Sequence, residues 1–157
     1  MSGSNSLVGL KERANLLNRL GQALVKHKHM FEYGGALRPG NLYDYLLQRQ
    51  ENGVLAAREI LIAILEGMGE IWPDGSWVDG IAIGDAAYHE VIKRSDITDG
   101  IVPFHKLSQW MSYSLIEPLQ LAGMKIVNLD ALTGLAEYRN GGLFIDTGTI
   151  SLRDKAQ

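Results

Sequence analysis

A chain of 157 residues with 46% hydrophobic and 21% charged residues has the composition of one globular domain, which excludes the disordered and fibrous classes. A formal net charge of −3 with scattered lysines and arginines excludes a basic face built for nucleic acid. There is no cysteine, so disulfides, thiolate metal sites and a cysteine nucleophile are all excluded, and the expected location is cytoplasmic.

The opening "MSGSNS" has neither basic residues nor an apolar run of signal-peptide length, and residues 1–6 read as a disordered N-terminus or a cloning scar. Residues 7–157 are then a single mainly helical domain. Leu7, Leu10, Ala14, Leu17, Gly21 and Leu24 recur at steps of three and four, which predicts an amphipathic helix from about Leu7 to Lys28. Its last turn, "KHKH", places cations where the helix dipole favours them. His27 and His29 read as a solvated turn, because no carboxylate or cysteine cluster supports a metal. "GGALRPG" is a loop, and "NLYDYLLQRQ" a short helix ending at Asn52-Gly53. From Val54 to about Met68 the sequence is apolar almost all round, which predicts a buried central helix ended by Gly67 or Gly69. Turn chemistry at Pro73-Asp74-Gly75 and Asp79-Gly80 leaves room for a hairpin around Val78 and Ile81. A helix starting near Asp85 would set Asp85 and His89 on one face.

The stretch "VPFHKLSQWMSYSLIEP" predicts a helix from Pro103 towards Gly123, with Pro118 bending or trimming its last turn. Phe104, Leu107, Met111 and Leu115 share one face, expected to pack on the Ile60 to Leu65 helix. Two polar stripes remain: His105, Gln109 and Ser112, and then Lys106, Trp110, Tyr113 and Glu117. They carry too few charges and too many aromatics for a solvated surface, so they are expected to face a pocket. Beyond this helix "MKIVNL" and "GGLFIDTGTISL" read as two short strands around a helical turn N-capped by Asp130. The expected fold is mainly α, with a small β hairpin or strand pair near the C-terminus. The longest apolar run, Ile60 to Leu65, is too short to span a bilayer, so no membrane partner is expected.

"LFIDTGT" resembles the catalytic loop of an aspartic protease, yet that chemistry needs two carboxylates sharing a proton on an all-β body, and the protease reading is rejected. Phosphate-loop, dinucleotide and hydrolase-elbow motifs are absent. "EYRNGGLFID" sets Glu137, Arg139 and Asp146 around a glycine pair. These are either a surface ion pair of little consequence or, in a pocket, a carboxylate that stabilises positive charge at a sugar carbon beside a guanidinium that holds an anion.

Taken together, "NSLVGLKERANLLNRLGQAL", "RPGNLYDYL", "GEIWPDG", "IGDAAYH", "GIVPFHKLSQWMSYSLIEPL" and "LDALTGLAEYRNGGLFIDTG" resemble the blocks of the uracil-catabolism protein family of fungi and bacteria. The likeness covers most of the chain in order. Family members are longer at both ends, so the chain reads as a fragment of a longer family chain or a short variant. "HKLSQWMSYSL" followed by "LTGLAEYRNGG" is also similar, more faintly, to the queuosine-salvage nucleotide N-glycosylases. The resemblance implies a hydrolase of an N-ribosyl compound in pyrimidine degradation, an N-glycosidase acting on ribosylurea or its 5′-phosphate. Glu137 or Asp146 would be the catalytic carboxylate. Arg139, Lys106 and His105 would bind an anion, and Gln109, Trp110 and Tyr113 would hold the urea or ribose of this nucleoside- or nucleotide-derived substrate. No cofactor or metal is expected. The alternative is a non-catalytic helical binding or assembly module, whose stripes self-associate or pack against the flanks that family members carry.

Overall fold

The computed structural model describes residues 8–135 and 137–153; residues 1–6, read above as a disordered end or scar, lie outside these. Helix α1, Leu10–Lys26, stops at His27, whose N–H bonds back to the Ala23 carbonyl. One further turn, α2 at Lys28–Phe31, buries Met30 and Phe31. Ala23 and Leu24 of α1 are buried and Leu16 and Leu20 pack part-buried against the core, while Leu10 and Leu17 are exposed. A two-residue hairpin, β1 (Glu32–Tyr33) with β2 (Ala36–Leu37), turns at Gly34 and Gly35 within the expected loop. The buried Asn41 amide staples it by donating to the Phe31 and Ala36 carbonyls at 2.8 and 2.7 Å. Helix α3, Leu42–Gln48, then buries Leu42 and Leu46.

The central helix begins three residues later than its apolar run suggests. Asn52 and Gly53 take positive φ, Val54 pairs back onto Glu51, and Val54–Ala56 becomes strand β3. Helix α4, Ala57–Met68, is buried as expected: Ala57, Ile60, Ala63 and Ile64 are wholly inaccessible. Gly67 does not end it but permits close approach, since a Cβ there would sit 2.8 Å from the Phe31 ring. A hairpin of β4 (Trp77–Val78) and β5 (Ile81–Ala82) forms where the turn residues place it. The helix expected near Asp85 is absent. Gly84 is left-handed, and Ala87–Tyr88 (β6) pairs with Ile101–Val102 (β7), so Asp85 and His89 share no helix face.

Helix α5, Lys106–Leu121, contains Pro118 and packs mainly against α4. Its buried side is not the expected one. Ser108, Gln109, Ser112 and Leu119 are buried, Met111 and Leu115 are half-buried against the core, and Phe104 and Leu107 are exposed. Small serines let two helices approach closely, and the Ser112 hydroxyl satisfies itself by donating to the Ser108 carbonyl at 2.8 Å. Strand β8, Lys125–Val127, lies parallel to β3, with Leu55 opposite Ile126. The mainly helical fold with a strand pair towards the C-terminus is therefore observed, although the partner strand comes from residues 54–56.

Two local expectations are corrected near the C-terminus. Asn128, left-handed, precedes the 3-10 turn Leu129–Ala131, so Asp130 lies inside that turn rather than capping it. "GGLFIDTGT" is not a strand: Tyr138–Asp146 forms helix α6, with Glu137 as N-cap and the Thr147 hydroxyl donating to the Leu143 carbonyl. Among the described residues no helix is long and apolar enough to cross a membrane.

Candidate functional site

The N-terminus of α5 is organised by a side chain from the preceding loop. The Asp85 carboxylate accepts from the Leu107 N–H at 2.6 Å, the Ser108 N–H at 3.3 Å and the Ser108 hydroxyl, so it satisfies first-turn donors that α5 itself leaves uncapped. Burial pushes this carboxyl up; His105, Ser108 and the Leu107 amide outweigh that and hold it below the ordinary aspartate range. His105 sits beside it, with Nδ1 3.7 Å from an Asp85 oxygen, an ion-pair distance rather than a hydrogen bond. Its backbone is left-handed at φ 43°, uncommon outside glycine. In the sequence Asp85 read as the start of a local helix; the target of its side chain, 22 residues downstream, gave no local signal.

One residue along, Lys106 points to a different neighbour. Its ammonium lies 3.2 Å from a Glu137 carboxylate oxygen, while the other Glu137 oxygen accepts from the Arg139 N–H at 3.0 Å. The Arg139 amide, then the Lys106 ammonium, hold the Glu137 carboxyl below the ordinary glutamate range. The Tyr113 hydroxyl donates to the Thr133 carbonyl at 3.0 Å, which ties α5 to the segment leading into Glu137. Lys106, Glu137 and the Arg139 backbone thus belong to one neighbourhood, and Tyr113 lies about two helical turns further along α5. A carboxylate kept ionised by two donors is suited to offset positive charge developing nearby.

The other predicted residues go elsewhere. Asp146 is exposed at the far end of α6, about 12 Å along the helix from Tyr138 by helical rise. Trp110 is 60% exposed and lines an apolar groove of about 650 Å³ between α3 and α5, with Leu42, Tyr43, Leu46, Met111 and Leu115. Gln109 is buried, and its carbonyl oxygen has no hydrogen-bond partner among the described residues. His105 lines a separate cleft with His27, His29, Glu66 and Glu70. Among the described residues no three His, Cys, Asp or Glu side chains are grouped to hold a metal ion.

Comparison with known proteins adds a lineage. The model of the family described as "Protein of unknown function (DUF1688)" matches residues 1–157. The chain is 41% identical to "Uracil catabolism protein 4" of Lachancea kluyveri over 99% of its own length and 38% of that protein. It is 36% identical to "Protein urg3" of Schizosaccharomyces pombe over 95% of its length and 34% of that protein. A shorter likeness, 35% identical over 57% of the chain, is to "Queuine tRNA-ribosyltransferase" of Pseudomonas syringae pv. tomato, of which 24% is covered. No solved structure matches. The chain spans little more than a third of the length of the first two relatives.

Proposed function

The chain belongs to this DUF1688 family, and from that membership and the Lys106–Glu137 geometry we propose that it carries part of a hydrolase of an N-ribosyl compound in uracil catabolism, acting on ribosylurea or its 5′-phosphate. Two names support the reading: one relative is named for uracil catabolism, and a more distant one for ribosyl transfer. The carrying observation is the Glu137 carboxylate, pinned between the Lys106 ammonium and the Arg139 amide. In the reaction the bond from the anomeric carbon to the urea nitrogen breaks, its electron pair leaves with nitrogen, and that nitrogen takes a proton. Water adds its oxygen to the anomeric carbon and gives up one proton, which balances the proton taken by the nitrogen. Glu137 offsets the oxocarbenium charge between these events, while Lys106 and Arg139 attract a phosphate or the polarised leaving group. Asp146 takes no part in this scheme.

The test is urea release from ribosylurea and its 5′-phosphate, by this chain and by a protein of its relatives' full length. Glu137→Gln should lose about 10²–10³-fold in turnover with little change in melting temperature, and Asp146→Asn should keep its activity. Arg139→Ala should raise KM most for the phosphorylated substrate. Full activity in Glu137→Gln would sink the mechanism. A second reading, a helical binding or assembly module, is favoured by the apolar groove beside the exposed Trp110 and by Leu143, Phe144 and Ile145, exposed on α6. Absence of urea release by the full-length protein on either substrate selects it.

A further inference from the structure

We propose that His105, held by Asp85, is the acceptor at the floor of a second site, distinct from the Lys106–Glu137 pair, that takes a small cationic, N–H-rich group such as a guanidinium. The cleft it lines has a volume of about 740 Å³ and is walled by Leu65, Glu66 and Glu70 of the α4 region, Lys26, His27 and His29 around the α1–α2 junction, and residues 80–83.

The ring is positioned rather than merely present. Gly84, at φ +74°, has no Cβ, and one built there would lie 2.7 Å from a Leu65 methyl and 3.6 Å from the His105 Nδ1, so ring and leucine close over the glycine. The His105 N–H donates to the Asp85 carbonyl at 3.1 Å, and its carbonyl accepts from the Gln109 N–H at 2.7 Å, which fixes the left-handed backbone from both sides. Nδ1 is buried without a hydrogen-bond partner among the described residues, and an Asp85 carboxylate oxygen faces it at 3.7 Å. A lone pair turned towards a carboxylate is repelled, so in the neutral imidazole Nδ1 carries the proton and Nε2 is the acceptor.

The rest of the wall offers acceptors as well. Glu66 accepts from the Tyr45 hydroxyl at 3.4 Å, and Glu70 is shared between Lys26 and, at 3.9 Å, the His27 Nε2. Lys26 is the cation of this wall, and it is engaged by Glu70. With Glu70 offset by Lys26, the Glu66 carboxylate and an imidazole acceptor match a donor-rich cation and repel an anion.

The experiment uses the full chain labelled with ¹⁵N-histidine at pH 8, followed by long-range ¹H–¹⁵N correlation during titration with methylguanidinium and, separately, inorganic phosphate. The expected result is the Nδ1–H tautomer at His105, saturable shifts of the His105 and His27 rings with millimolar methylguanidinium, and none with phosphate. Glu66→Gln should weaken methylguanidinium about tenfold with the fold intact. Asp85→Asn should remove the tautomer preference, because an amide can donate to Nδ1. A resting Nε2–H tautomer, saturable phosphate binding at these rings, no saturable methylguanidinium shift, or unchanged affinity in Glu66→Gln would each overturn the site. None of these outcomes bears on urea release at Glu137, so the two proposals fail separately.

Discussion

Replacing Asp85 by alanine should weaken the fold although the residue lies in a loop. Its carboxylate receives two first-turn amides of α5 and the hydroxyl of Ser108, a residue with no solvent access. Loss of a helix cap costs about 1 kcal/mol. Leaving the buried Ser108 hydroxyl without its acceptor adds about 1–3 kcal/mol. A total near 3 kcal/mol corresponds to a fall in Tm of about 6–12 °C for a chain of this size. The pH dependence has a definite sign. The folded carboxyl titrates below its unfolded value, so its contribution is complete above about pH 4 and is lost as pH falls through the folded value. Thermal unfolding by circular dichroism between pH 7 and pH 3 measures both effects. Asp85→Ala should start lower at pH 7 and converge on the parent at acid pH. An unchanged Tm at pH 7, or two parallel acid limbs, would refute the capping argument.

Ile64→Asp should cost several kcal/mol, to order of magnitude, because an unpaired carboxylate would enter the wholly buried face of α4; an unchanged melting temperature would show that this face is not core. Gly67→Ala should destabilise by about 1–2 kcal/mol in chemical denaturation, although alanine is the better helix former, since its methyl meets the buried Phe31 ring and the Met30 methyl. Stabilisation would mean that Phe31 can move aside. The chain should bind a hydrophobic dye or self-associate, given the apolar groove beside Trp110 and the exposed Leu143, Phe144 and Ile145. A compact monomer at high concentration without dye binding would contradict it.

What the sequence made legible was what local pattern encodes. The apolar run at Ile60 to Leu65 read as core, and Ile60, Ala63 and Ile64 are wholly inaccessible with Leu61, Ile62 and Leu65 part-buried; the Asp79-Gly80 turn read as a short hairpin, and one forms there. The misses share a cause, a partner distant in the chain. Val54 to Ala56 joins the apolar run in sequence, yet its strand partner begins 71 residues later at Lys125. Asp85 looks like the start of its own helix because the helix it caps lies beyond a 20-residue excursion. "GGLFIDTGT" carries β-type apolar residues, but most of it lies in α6, whose ends Glu137 and Thr147 close with side-chain bonds that favour a helix.

The rotation of α5 decides how the candidate residues divide. Hydrophobicity alone would bury Phe104, Leu107, Met111 and Leu115, and that choice would leave both polar stripes together on the open side. The chain instead buries Ser108 and Ser112, because two helices approach most closely through small side chains, and the outer leucines remain half-covered or exposed. Turned this way, His105 faces the Asp85 loop, Gln109 is buried, and the stripe of Lys106 and Tyr113 faces the segment before α6. Neighbours in sequence therefore serve different surroundings: His105 is backed by a carboxylate, and Lys106 itself backs one. A polar stripe on a helix marks a place where something polar must be met. Here most of what it meets is the chain itself, and Glu137 and His105 are the groups on which the two proposals turn.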